Sequence, residues 1–149
     1  MSVSNAWQMT KLATAEYLKY GVTTASAGGM PTAIASLLGP MSTYNQMPLR
    51  VALFPFFDEV GAGLLAGELA LDEFASGRVI VPRVKIIADG SIQGFTGYLS
   101  QPYHRPYKGD ADYRGYPSVL REALVEQVEG LYRQRVQVAI HGNGDASIE

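Results

Sequence analysis

A lysine lies in the middle of one of the most apolar segments of this 149-residue chain. Lys85 is the fourth residue of the strand-like run 82–88, where a buried ammonium group has to be neutralised, paired or chemically modified. One interpretation is an edge-strand lysine whose stem follows apolar surface while its charge reaches water. The other is a carboxylated lysine, in which a buried neutral amine takes up carbon dioxide. The two oxygens of that carbamate then bridge divalent metals as a carboxylate would.

A histidine at the end of another apolar run is the second candidate. His141 directly follows residues 136–140, and the carboxyl ends of strands are where α/β folds assemble their sites. It is interpreted either as a metal ligand or acid/base group, or as a structural residue that is hydrogen-bonded at the start of a loop. Asp145 is well placed as the N-cap or first-turn residue of a helix near Ala146. It is also a candidate to orient His141.

A long loop follows the strand that carries the lysine. That strand closes with Asp89-Gly90-Ser91, and the Tyr- and Gly-rich stretch up to residue 117 has the length of a lid or binding loop. His104 lies among aromatic residues in this loop, either as a substrate-contacting lid residue or as part of a plain surface loop. We expect Asp89, Asp145 and His104 to support the site or contact the substrate, and not to bind the metal directly.

The composition excludes several functional classes. Lys and Arg number 12 against 14 Asp and Glu, and without a basic block we expect no nucleic-acid partner. The absence of Cys removes disulfides, thiolate nucleophiles and Cys-ligated zinc. Apolar runs fall short of about 18 residues and residues 1–8 show no secretory signal, so we expect a cytoplasmic protein without a membrane span. The G-x-G-x-x-x-G spacing of residues 61–67 fits a dinucleotide loop poorly.

Strand-like and helix-like segments alternate along the chain. Strands are predicted at 22–25, 49–54, 82–88 and 136–140. Helices are predicted at 8–20, 31–38, 60–76 and 119–133. This alternation is typical of βαβ units and a parallel sheet. Four such units form either a small open doubly wound sheet or half of an eight-stranded barrel. The chain stops inside an apparent first helical turn, which favours a fragment.

Local signals predict several boundaries and buried faces. Gly28-Gly29 indicates a loop after the first strand, and Gly39-Pro40 indicates the end of the second helix. Ser118 is the expected N-cap of the helix at 119–133. The inward face of that helix is predicted to contain Leu120, Leu124, Val128 and Leu131. The one-sided stripe of the first helix is predicted to contain Met9, Leu12, Ala13, Ala15, Tyr17 and Leu18.

Three segments together resemble the amidohydrolase superfamily, specifically its amidohydrolase-3 branch. They are residues 21–24, residues 84–91 with the lysine strand ending in Asp-Gly-Ser, and residues 139–146 with a His-x-x-Gly-Asp-Ala motif. Members related to N-substituted formamide deformylase carry these features in this order, with a lid-like stretch similar to residues 97–109. The resemblance covers nearly the whole chain.

This resemblance implies a partial (β/α)8 TIM barrel, an α/β fold in which residues 1–149 form one incomplete domain. It also implies a metal-dependent hydrolase that cleaves non-peptide, amide-like C–N bonds of a small molecule with metal-activated water. Lys85 matches the lysine that is carboxylated to bridge the metals, and His141 matches the histidine ligand at the fifth strand. The implied cofactors are one or two divalent ions, expected to be zinc, and the carbamate on Lys85.

The chain departs from the family pattern in its ligand set. The His-x-His of the first strand, the histidine of the sixth and the catalytic Asp of the eighth have no counterpart in this sequence, so no catalytic residue is assigned. We expect the chain alone to be inactive, to bind zinc poorly and to self-associate through open barrel edges. The alternative is a non-catalytic open-sheet module that binds a partner or ligand through the Tyr-rich loop 98–116.

Overall fold

The chain folds into two compact units, residues 1–84 and residues 85–149. The structure is a computed structural model that describes residues 3–44 and 46–149. Helices alternate with strands, and the strands of the first unit are parallel, so the predicted α/β class is confirmed. Among the residues described, we find no helix that has both the length and the apolar character needed to cross a bilayer.

The first unit is built around a three-stranded parallel sheet in the order β1-β2-β3. Its elements are α1 (Val3–Lys19), β1 (Thr24–Met30), α2 (Thr32–Thr43), β2 (Arg50–Pro55), α3 (Phe57–Ala66), a 3₁₀ turn (Leu71–Phe74) and β3 (Val79–Ile80). The side chains of β2 alternate, with Val51 and Leu53 buried. These residues join α2 and β3 in one apolar core, because one face of the sheet must be covered by a helix.

The second unit contains a two-stranded sheet and two helices. Its elements are β4 (Val84–Ile87), which begins at the last residue of the first unit, α4 (Arg121–Arg133), β5 (Val138–His141) and the short α5 (Asp145–Ile148). Strands β4 and β5 are hydrogen-bonded neighbours. The stretch between β4 and α4 contains no helix and no strand beyond isolated bridges, so the long loop predicted after the lysine strand is confirmed.

Two boundaries that were predicted from glycine and proline in the first unit are wrong. The predicted loop at Gly28-Gly29 is wrong, because β1 continues through it and pairs Gly28 with Phe54 before an irregularity at Gly29. The predicted stop at Gly39-Pro40 is also wrong, because α2 runs on to Thr43. The residues that flank this proline in α2 are buried, and their packing outweighs the hydrogen bond that proline removes.

Residues 60–76 were predicted as one helix, and this region is divided. Helix α3 ends at Gly67, which adopts a left-handed conformation with φ of 73° that suits a glycine C-cap. A 3₁₀ turn and the two-residue strand β3 follow it. Strand β3 was missed because two residues are too few to show a periodic pattern, yet its Val79 pairs with Val51 of the central strand β2.

The predicted buried faces of two helices need correction. In α1 the predicted stripe is largely exposed, with Leu12 at 65% exposure, and the buried residues are Ala6 and Thr14. In α4 the prediction of Leu131 as buried is confirmed, but Leu120 precedes the helix and is 67% exposed. Ser118 is not the N-cap, because Leu120 occupies that position. The backbone N–H of Ser118 donates to the Ala88 carbonyl at 2.7 Å.

Candidate functional site

The two predicted metal ligands lie on neighbouring strands of the second unit. The N–H of Ala88 donates to the carbonyl of His141 at 2.8 Å, so the carboxyl ends of β4 and β5 lie side by side. Side chains alternate along β4, where Val84 and Ile86 are buried while Lys85 is half-buried. His141 is the last residue of β5 and is also half-buried. Their assignment as ligands stays a prediction, and so does the alternative of a lysine whose charge reaches water.

The imidazole of His141 is contacted by groups from two loops. Its Nε2 lies 3.0 Å from the Nδ2 of Asn143 and 3.3 Å from the carbonyl oxygen of Gly90. The same Asn143 amide donates to the Gly90 carbonyl at 2.8 Å. Sequence reasoning did not assign Asn143 to the site. Its position between two glycines in the loop after β5 was the only available signal.

A buried carboxylate joins the loops that follow the two strands. Asp89 is fully buried, and its carboxylate accepts the backbone N–H groups of Tyr98 at 2.8 Å, Asn143 at 2.8 Å and Gly144 at 2.7 Å. Burial by itself raises the pKa of this carboxyl. The three N–H donors and the Ser147 hydroxyl stabilise the charged form more, so the pKa of Asp89 lies below its ordinary value.

A second carboxylate, that of the exposed Asp145, is hydrogen-bonded to the long loop after β4. Asp145 lies in the first turn of α5, as predicted, with Gly144 at the N-cap position. Its two oxygens accept the backbone N–H of Ser100 at 2.9 Å and the Ser100 hydroxyl. These hydrogen bonds from Ser100 lower the pKa of Asp145. Its described side-chain partner is therefore the loop, and its proposed role in orienting His141 stays a prediction.

The aromatic residues of the long loop pack against one another. Phe95, Tyr103, Tyr107 and Tyr113 form a closed set of four contacts with ring centroids 4.7–6.1 Å apart, within the range favoured by aromatic pairs. The Tyr113 hydroxyl donates to the Phe95 carbonyl at 2.9 Å, which ties the cluster to the backbone. His104 is exposed beside these rings, so its substrate-loop role stays a prediction.

The donor types present fit a metal centre, but their number does not complete one. An imidazole nitrogen is a usual zinc ligand, and a carbamate on Lys85 would supply oxygen donors. Tetrahedral zinc takes four ligands, and residues 3–44 and 46–149 contain no group of three or more His, Cys, Asp or Glu placed to hold an ion. Any complete site therefore needs donors beyond these two side chains.

Comparison with known proteins covers nearly the entire chain. A model of the amidohydrolase family matches residues 7–149. An uncharacterized metal-dependent hydrolase from Pyrococcus horikoshii OT3 has a similar structure, with a TM-score of 0.72 and 24% identity. Another uncharacterized metal-dependent hydrolase, from Pyrococcus furiosus, has a TM-score of 0.73 and 21% identity. A search of curated proteins finds no match.

Both structural matches cover nearly all of this chain but only a part of the matched proteins. Each covers 99% of this chain but only 29% of the first protein and 30% of the second. The chain therefore spans about 30% of the length of these solved structures. Its α/β architecture corresponds to part of a larger TIM-barrel-like fold, which confirms the predicted partial barrel.

Proposed function

Because the chain belongs to the amidohydrolase family, we propose that it is part of a metal-dependent hydrolase and contributes two of its metal ligands. The family match over residues 7–149 carries this proposal. The two structurally similar proteins, both described as metal-dependent hydrolases, support it. Lys85 and His141 lie on neighbouring strands, which supports their assignment to one site.

In the proposed site, Lys85 and His141 bind a divalent metal that we propose to be zinc. Lys85 binds as a carbamate, which requires that its amine react with carbon dioxide in the neutral form. His141 binds through an imidazole nitrogen at the end of β5. When bound, the metal supplies Lewis-acid activation of water and of the carbonyl that is attacked. The chain itself contributes the rigid frame, because Asp89 joins the loops after both strands with three backbone hydrogen bonds.

The proposed substrate is a small molecule with a non-peptide, amide-like C–N bond. Its support is the resemblance of residues 84–91 and 139–146 to N-substituted formamide deformylase relatives. The long loop after β4 is the part of this chain proposed to contact that substrate. Two hydrogen bonds restrain this loop, from the Tyr98 N–H to the Asp89 carboxylate and from the Ser100 N–H to the Asp145 carboxylate. These restraints favour a loop that forms a fixed wall of the substrate site over one that moves freely as a lid.

Hydrolysis and metal dependence test this proposal together. The coding sequence flanking this chain should be read and the longer protein assayed with N-substituted formamides and other amides, before and after chelation. We expect hydrolysis that chelation removes, a large loss in His141→Ala, and near-normal rates in Lys11→Ala, a change at an exposed residue of α1. Hydrolysis that persists in His141→Ala would contradict the proposal. A folded, metal-independent and inactive protein would instead favour the binding module of the Tyr-rich loop.

A further inference from the structure

An arginine of the first unit lacks an acceptor for its charged side chain. The guanidinium carbon of Arg83 lies 5.0 Å from the centre of the Phe54 ring, within the range of a cation–π contact. The Arg83 Nε is buried and has no hydrogen-bond partner among residues 3–44 and 46–149. We propose that Arg83, held against Phe54, is a binding site for the carboxylate group of a small molecule.

The unpaired Nε shows that this side chain has lost water without gaining an acceptor from the protein. A buried N–H without an acceptor costs free energy, and a desolvated charge without a partner costs more. The ion pairs found among the described residues lie within α1 and within α4, and they do not involve Arg83. The contact with the Phe54 ring offsets part of this cost. The missing acceptor has to come from outside the described residues.

The contact lies on the face of β2 that points away from the apolar core. Val51 and Leu53 are buried in that core, whereas Phe54 is half-buried and follows the strand alternation to the other face. Phe54 is also the residue before the last of β2, so it lies at the carboxyl end of the strand. In TIM barrels the helices cover the outside, and sites form at the carboxyl ends of the strands. Phe54 therefore occupies a position at which such a fold binds ligands.

The neighbours of Phe54 on this face are small. Gly28 of β1 pairs with Phe54, and Ser26 pairs with Ala52 in the same register. A Cβ atom at Gly28 would lie 3.9 Å from the Phe54 Cδ2, so the glycine leaves this side of the ring uncovered. Ser26 and Gly28 are both exposed. These residues leave room for a small molecule beside the ring, and the Ser26 hydroxyl adds a polar group on the same face.

The chemistry of the guanidinium selects a carboxylate as the ligand group. The Arg83 side chain is half-buried, so its terminal NH₂ groups remain available while Nε is enclosed. Two neighbouring NH₂ groups match the two oxygens of a carboxylate. One guanidinium balances one negative charge, which favours a carboxylate over a phosphate group with a charge of about −1.5 to −2. A carboxylate side chain from another part of a longer protein shares this chemistry, and the test separates the two sources.

This inference goes beyond the proposed function, because it depends on neither a metal nor hydrolysis. Arg83, Phe54 and the small residues beside them all belong to the first unit. A failed hydrolysis assay therefore leaves this site unaffected. A failure to bind carboxylates, in turn, leaves the proposed metal ligands unaffected.

Titration of the ¹⁵N-labelled 149-residue chain with acetate at constant ionic strength tests the site by ¹H–¹⁵N NMR. We expect saturable shifts of the Arg83 Nε–H and of the Gly28 and Phe54 amides, and none with uncharged acetamide. In Arg83→Gln the amide shifts should require at least about tenfold more acetate, because a charge-assisted hydrogen bond is lost. The matched Arg78→Gln, at an exposed arginine of the same unit, should keep the parent affinity. Shifts that do not saturate, or equal titrations in Arg83→Gln and the parent, would overturn the proposal.

A second variant separates recognition by the guanidinium from a general effect of charge. Arg83→Lys keeps the charge but loses the paired NH₂ groups, so its affinity for acetate should lie between those of the parent and Arg83→Gln. Amide exchange in β2 reports whether each variant remains folded. Parent affinity in a folded Arg83→Lys would show that charge alone attracts acetate, and would overturn the site.

The same titration in a longer protein that contains this chain distinguishes the two sources of the carboxylate. We expect acetate to shift the Arg83 Nε–H there as it does in the 149-residue chain. An Nε–H that is protected from exchange without acetate and does not respond to it would identify a protein carboxylate as the partner. That result would overturn the proposal of a small-molecule site.

Discussion

Replacement of Asp89 by asparagine exchanges one carboxylate oxygen for an NH₂ group. It should weaken the junction between the loops after β4 and β5, which consists of the hydrogen bonds that Asp89 accepts from Tyr98, Asn143 and Gly144. The carboxylate presents Oδ2 to the N–H groups of Tyr98 and Gly144 and Oδ1 to that of Asn143. The asparagine amide has one oxygen only. In its best orientation this oxygen keeps the Tyr98 and Gly144 bonds, and the NH₂ group then faces the N–H of Asn143, donor against donor.

The expected cost follows from these contacts. One charge-assisted hydrogen bond is lost, and such bonds contribute about 1.5–3 kcal/mol. The part-buried N–H of Asn143 is left facing another donor. An unsatisfied group costs about 1–3 kcal/mol when it is fully buried, so the cost here lies towards the lower end of that range. Since these two penalties overlap, we expect Asp89→Asn to destabilise the junction by about 3 kcal/mol. This corresponds to an increase of about a hundredfold in the opening equilibrium at 25 °C.

Native-state amide exchange measures this opening at the residues concerned. The amides of Tyr98, Asn143 and Gly144 should lose protection together, whereas the exposed Asp145→Asn, a matched change of one carboxylate, should leave Asn143 and Gly144 nearly unaffected. A change of less than about tenfold at all three amides in Asp89→Asn would refute the reasoning, because a buried carboxylate with three N–H partners cannot be so dispensable.

The same carboxylate predicts the direction of the acid dependence. The pKa of Asp89 in the folded chain lies below its ordinary value of 3.8. Its contribution to the free energy of unfolding is therefore fully present above pH 3.8 and is lost as the pH falls through the lower, folded-state pKa. Acid titration of stability in the parent chain and in Asp89→Asn should show a shallower acid loss in the variant. Parallel curves would contradict this linkage.

Further substitutions test the burial and the loop contacts of the second unit. Gly144→Ala should open the junction, because a Cβ there would overlap the Tyr98 carbonyl oxygen, and loss of Tyr98 amide protection measures it. Leu131→Ala should cost about 2–5 kcal/mol in urea unfolding and the exposed Leu120→Ala less than about 0.5, with equal costs contradicting the burial assignment. Asp145→Asn should release the loop at Ser100 alone, seen as faster exchange of that amide, and unchanged exchange would argue against the surface carboxylate as a restraint.

The alternation of elements could be predicted from the sequence because it depends on local patterns. Strands β2, β4 and β5 lie within two residues of their expected bounds, since short, mostly apolar runs bounded by turn residues are typical of buried strands. The long loop after β4 was predictable because Gly and Tyr replace any periodic pattern. Boundaries marked by Gly28-Gly29 and Gly39-Pro40 were not, because tertiary packing of β1 and α2 outweighs these local signals.

The arrangement of the candidate site could be predicted only in part. Lys85 and His141 could be placed on strands from the sequence, because each stands in or directly after an apolar run. The roles of Asp89 and Asn143 could not, because Asp89 meets its partner loop 54 residues away along the chain. No local pattern encodes which backbone N–H groups converge on a carboxylate across such a separation. The partners of Asp89 are known only from the hydrogen bonds in the folded structure.

The metal content of the longer protein tests the central claim most directly. After the flanking coding sequence is read, the purified protein is analysed for bound divalent metal, with Lys85→Ala and His141→Ala compared against the matched Lys11→Ala and His104→Ala. We predict bound metal in the parent and in both matched controls, and its loss or strong reduction in Lys85→Ala and His141→Ala. Absence of metal from the longer protein, or equal metal in all variants, would contradict the claim that these two residues are ligands of a metal-dependent hydrolase.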